Sequence, residues 1–113
     1  MILESGKKVI DIEIEALKLL KKNISSDFTK VVNLLFLNRG KIIVSGIGKS
    51  GHIASKIAST LSSIGSPSFF IHPSEANHGD LGMIKKNDCI ILISNSGETS
   101  ELINLILHCK KLK

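Results

Sequence analysis

Residues 41–65, KIIVSGIGKSGHIASKIASTLSSIG, pass from a short run of β-branched residues through a glycine-rich segment into a helical pattern. KIIVSG at 41–46 predicts a strand that ends in glycine, and Ile53, Ile57 and Leu61 fall on one face of the helix that follows. A strand, a glycine loop and a helix in this order are typical of a parallel α/β unit.

The same alternation continues along the chain. SPSFFIHP at 66–73 predicts a second strand, CIILIS at 89–94 a third, and residues 98–111 a helix. Residues 4–23 and 25–37 predict two amphipathic helices that precede the first strand. Their inward faces would carry Ile10, Ile14, Leu17, Leu20 and Ile24 in the first helix and Phe28, Val31, Val32 and Leu35 in the second. The predicted fold class is α/β, an incomplete doubly wound parallel sheet of three strands preceded by two amphipathic helices.

Composition limits the class of protein. At 113 residues the chain fits one small domain or part of one, and 42% hydrophobic with 22% charged residues argues against intrinsic disorder. The net charge of +5 comes from scattered or paired lysines without Tyr or Trp for base stacking, so no nucleic-acid partner is predicted. No apolar run approaches the roughly 20 residues that cross a bilayer, and the first residues lack a signal-peptide pattern. We therefore expect a cytoplasmic protein without a membrane partner, and reduced, mainly structural thiols at Cys89 and Cys109.

GIGKSG at 46–51 matches the pattern G-x-G-x-x-G, but its surroundings do not favour a nucleotide. A dinucleotide site needs an acidic residue after the next strand, which ends FFIHP, and a Walker A loop needs glycine where the chain has Ile43. Glycines still let a ligand approach the backbone, and amides at a helix start favour an anion, to which Lys49 and Ser50 add a charge and a hydroxyl. The alternative is that these glycines only form a tight turn.

ISNSGETSE at 93–101 follows the third predicted strand. Its hydroxyls belong to Ser94, Ser96, Thr99 and Ser100. Ligands of open α/β sheets bind beyond the carboxyl ends of the strands, so this loop should meet the first one in a single crevice and form a phosphate cradle. Alternatively, one hydroxyl only caps the next helix, with Glu98 and Glu101 in its first turn.

HPSEANHGDLG at 72–82 is rich in groups that titrate or bind metals. These are His72, Glu75, His78 and Asp80. Glu75 and His78 could share a helical face, but a third fixed ligand is missing and no metal is predicted. His78 suits proton transfer or a sugar hydroxyl, whereas structural roles are expected for His52 and His108.

Taken together, these segments resemble the sugar isomerase (SIS) domain and, within it, the arabinose-5-phosphate isomerases. The most specific parts are GKSGH, PSFFIHP-x-EA-x-HGDLGM and ISNSGE, in this order and at this spacing. The resemblance extends from the leading helices to the end of the chain.

The resemblance implies an aldose–ketose isomerase that interconverts D-ribulose 5-phosphate and D-arabinose 5-phosphate, on the route to the Kdo sugar of lipopolysaccharide, without a cofactor. Its partners would be the pentose 5-phosphate and further copies of the chain, since complete family members are tetramers. Glu101 would be the base, Lys49 an electrophilic or phosphate contact, and His78 a hydroxyl contact. The implied phosphate site comprises Gly48, Ser50, Ser94, Asn95, Ser96 and Thr99.

Complete family members continue with the rest of the SIS sheet, further catalytic Glu and His residues and usually a CBS pair. The chain is therefore expected to be the amino-terminal part of one SIS domain, with leading helices at 1–39 and three β-α units at 40–113, and to be inactive alone. Two alternatives remain, a non-catalytic phosphosugar-binding module and a decayed fragment that neither binds nor catalyses.

Overall fold

The computed structural model describes residues 1–112, which form five α-helices, one short 3₁₀ helix and three strands. The α-helices are α1 (Ile2–Asn23), α2 (Ser26–Leu37), α3 (Lys49–Ser63), α4 (Pro73–Asn77) and α5 (Ser100–Lys111). The strands are β1 (Ile42–Gly46), β2 (Ser68–Phe70) and β3 (Cys89–Ile93), and the 3₁₀ helix is Asp80–Met83. The chain divides into two compact units, Met1–Phe36 and the part that begins at Leu37.

The first unit confirms the two predicted leading helices. The side chain of Ser25 accepts a hydrogen bond from the Asp27 backbone N–H at the start of α2. The predicted inward faces are not buried, since the structure gives α1 and α2 no buried residue, and Ile14 and Val32 are 43% and 44% exposed. Two helices by themselves do not enclose their apolar faces, so these side chains stay exposed.

The second unit is built on a parallel sheet with the strand order β2-β1-β3. Ile42 at the start of β1 pairs with Ser68 and Cys89, and Gly46 at its end pairs with Ile93. Every residue of the central strand β1 is buried, whereas β3 is only half-buried. The predicted three-stranded α/β sheet is thus confirmed.

The two faces of the sheet are covered by different side chains. Ile43 belongs to a core cluster with Ile71, Ala76, Ile84, Leu102 and Leu105. Ile42 and Val44 point to the opposite face because side chains alternate along a strand. Helix α3 contacts β1, and its buried residues are Gly51, Ala54 and Ala58.

The predicted apolar stripe of α3 does not form its buried face. Ile53 is 53% exposed and, with Ile57 and Leu61, lines an open groove of about 300 Å³. Small residues face the sheet instead, because they let the helix approach the strand closely.

The structure differs from the sequence prediction at the end of β2, at the start of α5 and in two short elements. The second strand ends at Phe70, since His72 caps the short helix α4 that begins at Pro73. Neither α4 nor the 3₁₀ helix was predicted as an element. Helix α5 begins at Ser100 because Gly97 adopts φ 72° and interrupts the helical path.

Asp88 fastens the amino ends of β1 and β3. Its carboxylate accepts 2.8 Å hydrogen bonds from the backbone N–H groups of Lys41 and Lys85, and its Oδ2 lies 3.5 Å from Lys41 Nζ. Burial alone would raise the pKa of this carboxyl. The two backbone hydrogen bonds and the Lys41 charge outweigh burial, so the pKa lies below its ordinary value of 3.8.

Both cysteines are free and half-buried. Burial raises the pKa of both thiols, and the neighbouring Asp88 carboxylate raises that of Cys89 further. Neutral thiols of this kind are poor nucleophiles, which agrees with the structural role predicted for them.

Within residues 1–112, no helix combines the length and the apolar character needed to cross a membrane.

Candidate functional site

Two loops leave the carboxyl edge of the sheet at the same level. The parallel pairing of Gly46 with Ile93 means that the chain enters the β1–α3 loop and the β3–α5 loop side by side. A Cβ atom on Gly46 would lie 2.9 Å from the backbone carbonyl of Ser50 and 3.0 Å from the carbonyl oxygen of Ile93. The end of β1, the first turn of α3 and the end of β3 are therefore in direct backbone contact, and only glycine fits between them.

The β1–α3 loop combines a tight turn with an open approach. A Cβ on Gly51 would meet the Gly46 carbonyl oxygen at 2.7 Å, so this glycine serves packing, as the tight-turn alternative requires. Gly48 differs, because it has φ 61° and, apart from its own atoms and those of its two chain neighbours, no atom of the described residues lies within 4 Å of where its Cβ would be. Lys49 is exposed and Ser50 half-buried in the first turn of α3, where free amides favour an anion.

The hydroxyls of the β3–α5 loop bond within the loop. Ser94 Oγ accepts from the Gly97 backbone N–H at 3.0 Å and lies 3.0 Å from Thr99 Oγ1, and Ser96 Oγ accepts from the Glu98 N–H at 3.2 Å. Thr99 is the N-cap of α5, but its hydroxyl makes no capping hydrogen bond to the described residues of that helix. These hydrogen bonds therefore hold the loop in shape instead of capping α5. Each hydroxyl can still form a further hydrogen bond to a ligand.

The three residues predicted to be catalytic follow three different strands. Lys49 opens α3 after β1, His78 is exposed at the end of α4 after β2, and Glu101 is half-buried in the first turn of α5 after β3. Glu101 Oε2 accepts a hydrogen bond from Ser100 Oγ at 3.1 Å. All three lie on the carboxyl side of the sheet, although no hydrogen bond within residues 1–112 joins any two of their side chains.

The remaining phosphate-site candidate, Asn95, is exposed in the β3–α5 loop beside Ser94. Its position on that loop is the one the sequence predicts. In the part of the chain that the structure describes, no three His, Cys, Asp or Glu side chains come together in a way that could hold a metal ion.

Sequence reasoning missed a cavity of about 280 Å³ at the carboxyl end of β2. Its lining consists of Gly48, Gly51, His52, Ser55, Phe70 and His72. The sequence predicted a structural role for His52. It placed His72 only among the groups that titrate or bind metals and gave it no role of its own. The sequence did contain one signal, the position of His72 two residues after the end of β2, close to where Ser94 stands relative to β3.

Comparison with known proteins assigns the second unit to a family. Residues 35–113 match the SIS domain. The chain is 49% identical over 110 residues to the arabinose 5-phosphate isomerase KdsD of Yersinia pestis, covering 97% of this chain and 34% of that protein. It is 54% identical over 104 residues to an uncharacterized protein of Rickettsia prowazekii, covering 92% of this chain and 33% of the other.

A solved structure has the same fold. It is a protein of Escherichia coli CFT073 in complex with a sugar-phosphate ligand, and it superposes with a TM-score of 0.91 at 42% identity. The match covers 98% of this chain and 59% of that one. The chain thus spans about a third of the length of the relatives named above and about three fifths of the solved chain.

Proposed function

Since this chain belongs to the SIS domain family, we propose that it binds a pentose 5-phosphate and contributes to its aldose–ketose isomerisation. The proposed pair is D-arabinose 5-phosphate and D-ribulose 5-phosphate, because relatives 49% and 50% identical to the chain are named arabinose 5-phosphate isomerases. The observation that supports the proposal most is the pairing of Gly46 with Ile93, which puts a glycine loop beside a hydroxyl loop.

In this proposal the phosphate lies between the two loops. The amides at the starts of α3 and α5 donate to it, Lys49 offsets its charge, and Gly48 leaves room for its approach. The side chains that would bond it are those of Ser50, Ser94, Asn95, Ser96 and Thr99. The existing 3.0 Å contact between Ser94 and Thr99 supports binding, because hydroxyls already held in place lose little freedom when a ligand arrives.

Glu101 is the proposed proton carrier. Its carboxylate takes the proton from C2 of arabinose 5-phosphate and delivers it to C1 of the resulting enediol, while the C1 oxygen gains a proton and the C2 hydroxyl loses one. Electrons and atoms balance without a cofactor. Lys49 would polarise the carbonyl or contact the phosphate, and His78 would contact a hydroxyl.

Proton exchange tests this assignment even where net turnover is low. We expect the chain in D₂O to exchange the C2 proton of arabinose 5-phosphate, observed by proton NMR. Glu101→Gln should slow the exchange by about 100-fold or more and leave the affinity for the sugar phosphate within about threefold.

Glu98→Gln is the matched control, since Glu98 is an exposed carboxylate in the loop just before the same helix and the variant should retain both properties. A chain that binds arabinose 5-phosphate without exchange would instead be a non-catalytic phosphosugar-binding module. A chain that binds neither pentose 5-phosphate would overturn the proposal. Robust conversion of ribulose 5-phosphate would contradict the prediction that residues 1–113 are inactive alone.

Assembly into a homo-oligomer, with tetramers as in complete family members, is part of the proposal, as is a cytoplasmic location. Light scattering of the purified chain during size-exclusion chromatography measures the oligomeric state, and a monomer at all concentrations would contradict assembly. Cell fractionation measures the location, and a membrane-bound chain would contradict a cytoplasmic one.

A further inference from the structure

The cavity beside β2 adjoins the proposed phosphate site, with which it shares Gly48 of the β1–α3 loop. Its wall includes Gly48 and Gly51, which flank Lys49 and Ser50 in the chain. Its volume of about 280 Å³ is near the lower end of the range for small-molecule pockets. A ligand whose phosphate lies at the start of α3 could therefore extend into it.

The imidazole of His72 is held in one orientation at the wall of this cavity. Its Nδ1 accepts the Ser74 backbone N–H at 3.1 Å, and its ring stands edge-on to Phe70 at 81°, with centroids 6.3 Å apart. A nitrogen that accepts an N–H carries no proton, so the ring proton of the neutral imidazole is on Nε2. His72 is half-buried, and it offers a fixed Nε2–H donor.

The chemistry of the lining selects the kind of group that fits. It contains two imidazoles, one serine hydroxyl, one aromatic ring and the backbone of two glycines, without any lysine, arginine or carboxylate. Such a wall offers no fixed opposite charge to a second ionic group, but it offers hydrogen bonds to neutral hydroxyls and an apolar edge for carbon.

We propose that this cavity holds the part of the phosphosugar's hydroxylated chain that lies between the phosphate and the reacting carbons, and that His72, through Nε2–H, donates a hydrogen bond to one of its hydroxyl oxygens. His72 is then a specificity-determining residue that distinguishes a sugar phosphate from phosphate alone. The inference rests on the proposed function, because it takes the phosphate to lie at the start of α3.

His72→Asn tests the inference without removing the cap of α4. An asparagine side-chain oxygen can still accept the Ser74 N–H, but the side chain is too short to present a donor where Nε2 lies. Asn77→Ala is the control, an exposed position on α4 that does not line the cavity. Binding of two probes, arabinose 5-phosphate and inorganic phosphate, is measured by calorimetry for each variant, with thermal unfolding to check the fold.

We expect His72→Asn to weaken arabinose 5-phosphate binding about tenfold and to leave inorganic phosphate binding within about twofold. Equal losses for both probes, or no loss for either, would overturn the role of His72 while leaving the proposed function intact. Failure of the unaltered chain to bind arabinose 5-phosphate would overturn both together.

A second measurement on the unaltered chain covers the case in which the variant fails to fold. In ¹⁵N-labelled protein the His72 Nε2 resonance should shift when arabinose 5-phosphate is added and stay in place with inorganic phosphate. An unchanged resonance at saturating sugar phosphate would overturn the inference.

Discussion

The two ends of the three-stranded sheet satisfy their polar groups in opposite ways. At the amino ends, Asp88 is a carboxylate with 3% of its side chain exposed, and it accepts backbone hydrogen bonds from Lys41 and Lys85. At the carboxyl ends, Ser94 and Thr99 are neutral hydroxyls that bond each other in a partly exposed loop. A buried charge with all its partners in place stabilises the fold and binds nothing else, whereas neutral hydroxyls near solvent can exchange partners for a ligand.

Removing the carboxylate at the amino ends should have the largest effect on stability. Asp88→Ala leaves two backbone N–H groups without their acceptor, and we expect the free energy of unfolding in urea to fall by about 3 kcal/mol at pH 7. Asp88→Asn keeps one acceptor oxygen and should lose about half as much. A loss below about 1 kcal/mol for the alanine variant would mean that Asp88 does not fasten the strands.

A methyl group at the carboxyl ends should be the next most damaging change. In Gly46→Ala the new Cβ meets the backbone of Ser50 and Ile93, which cannot rotate away, so we expect a loss of about 2 kcal/mol and weaker arabinose 5-phosphate binding. Gly82→Ala is the control, because among residues 1–112 its Cβ position has no atom within 4 Å beyond those of its local backbone and its chain neighbours. It should change stability by less than about 0.5 kcal/mol, and equal losses in both variants would contradict the backbone contact.

Removing one hydroxyl at the carboxyl ends of the strands should lower the free energy of unfolding less than either substitution above. It should weaken ligand binding more than it lowers stability. Ser94→Ala removes the acceptor of the Gly97 N–H, and we expect a loss of about 1 kcal/mol in unfolding. Arabinose 5-phosphate affinity, measured by calorimetry, should fall about tenfold. Ser59→Ala, an exposed serine in α3, should alter neither quantity, and unchanged binding by Ser94→Ala would remove this loop from the site.

The pH dependence of stability should distinguish the two ends of the sheet, because it depends on the Asp88 carboxylate at the amino ends. The folded pKa of Asp88 is lowered, so its contribution is present above the unfolded pKa and is lost as pH falls through the folded pKa, that is, below about pH 4. Unfolding free energies measured between pH 7 and pH 2.5 should therefore decline more steeply for the unaltered chain than for Asp88→Asn. Parallel curves would show that another carboxyl causes the acid sensitivity.

Sequence reasoning succeeded where the determining interactions are local. The helical periods, the apolar strands and the polar residues that follow each strand are local patterns, and the three-stranded α/β fold was predicted from them. The SIS family was identified by the resemblance of GKSGH, HGDLGM and ISNSGE to that family's motifs. It was less accurate at β2, which is three residues long, because the Pro73 helix start competes with strand extension. The roles given to Lys49, His78 and Glu101 stay predictions.

Two features of the site could not be predicted from local pattern. The Asp88 hydrogen bond to Lys41 spans 47 positions, and the cavity brings His72 to the first turn of α3, about 20 positions earlier. The choice of the buried face of α3 has the same origin. Its apolar isoleucines satisfy a helical period, but only the approach of β1 selects the small Ala54 and Ala58 for burial.

The sequence by itself determined the three strands and the four longer helices, the glycine loop after β1 and the hydroxyl loop after β3, and the motifs that resemble the family. The tertiary structure decided the strand order, the register that pairs Gly46 with Ile93, and the cavity beside β2. The physical reason is that periodicity and turn chemistry act between near neighbours in the chain, whereas register and cavity shape arise from close packing between segments far apart in sequence.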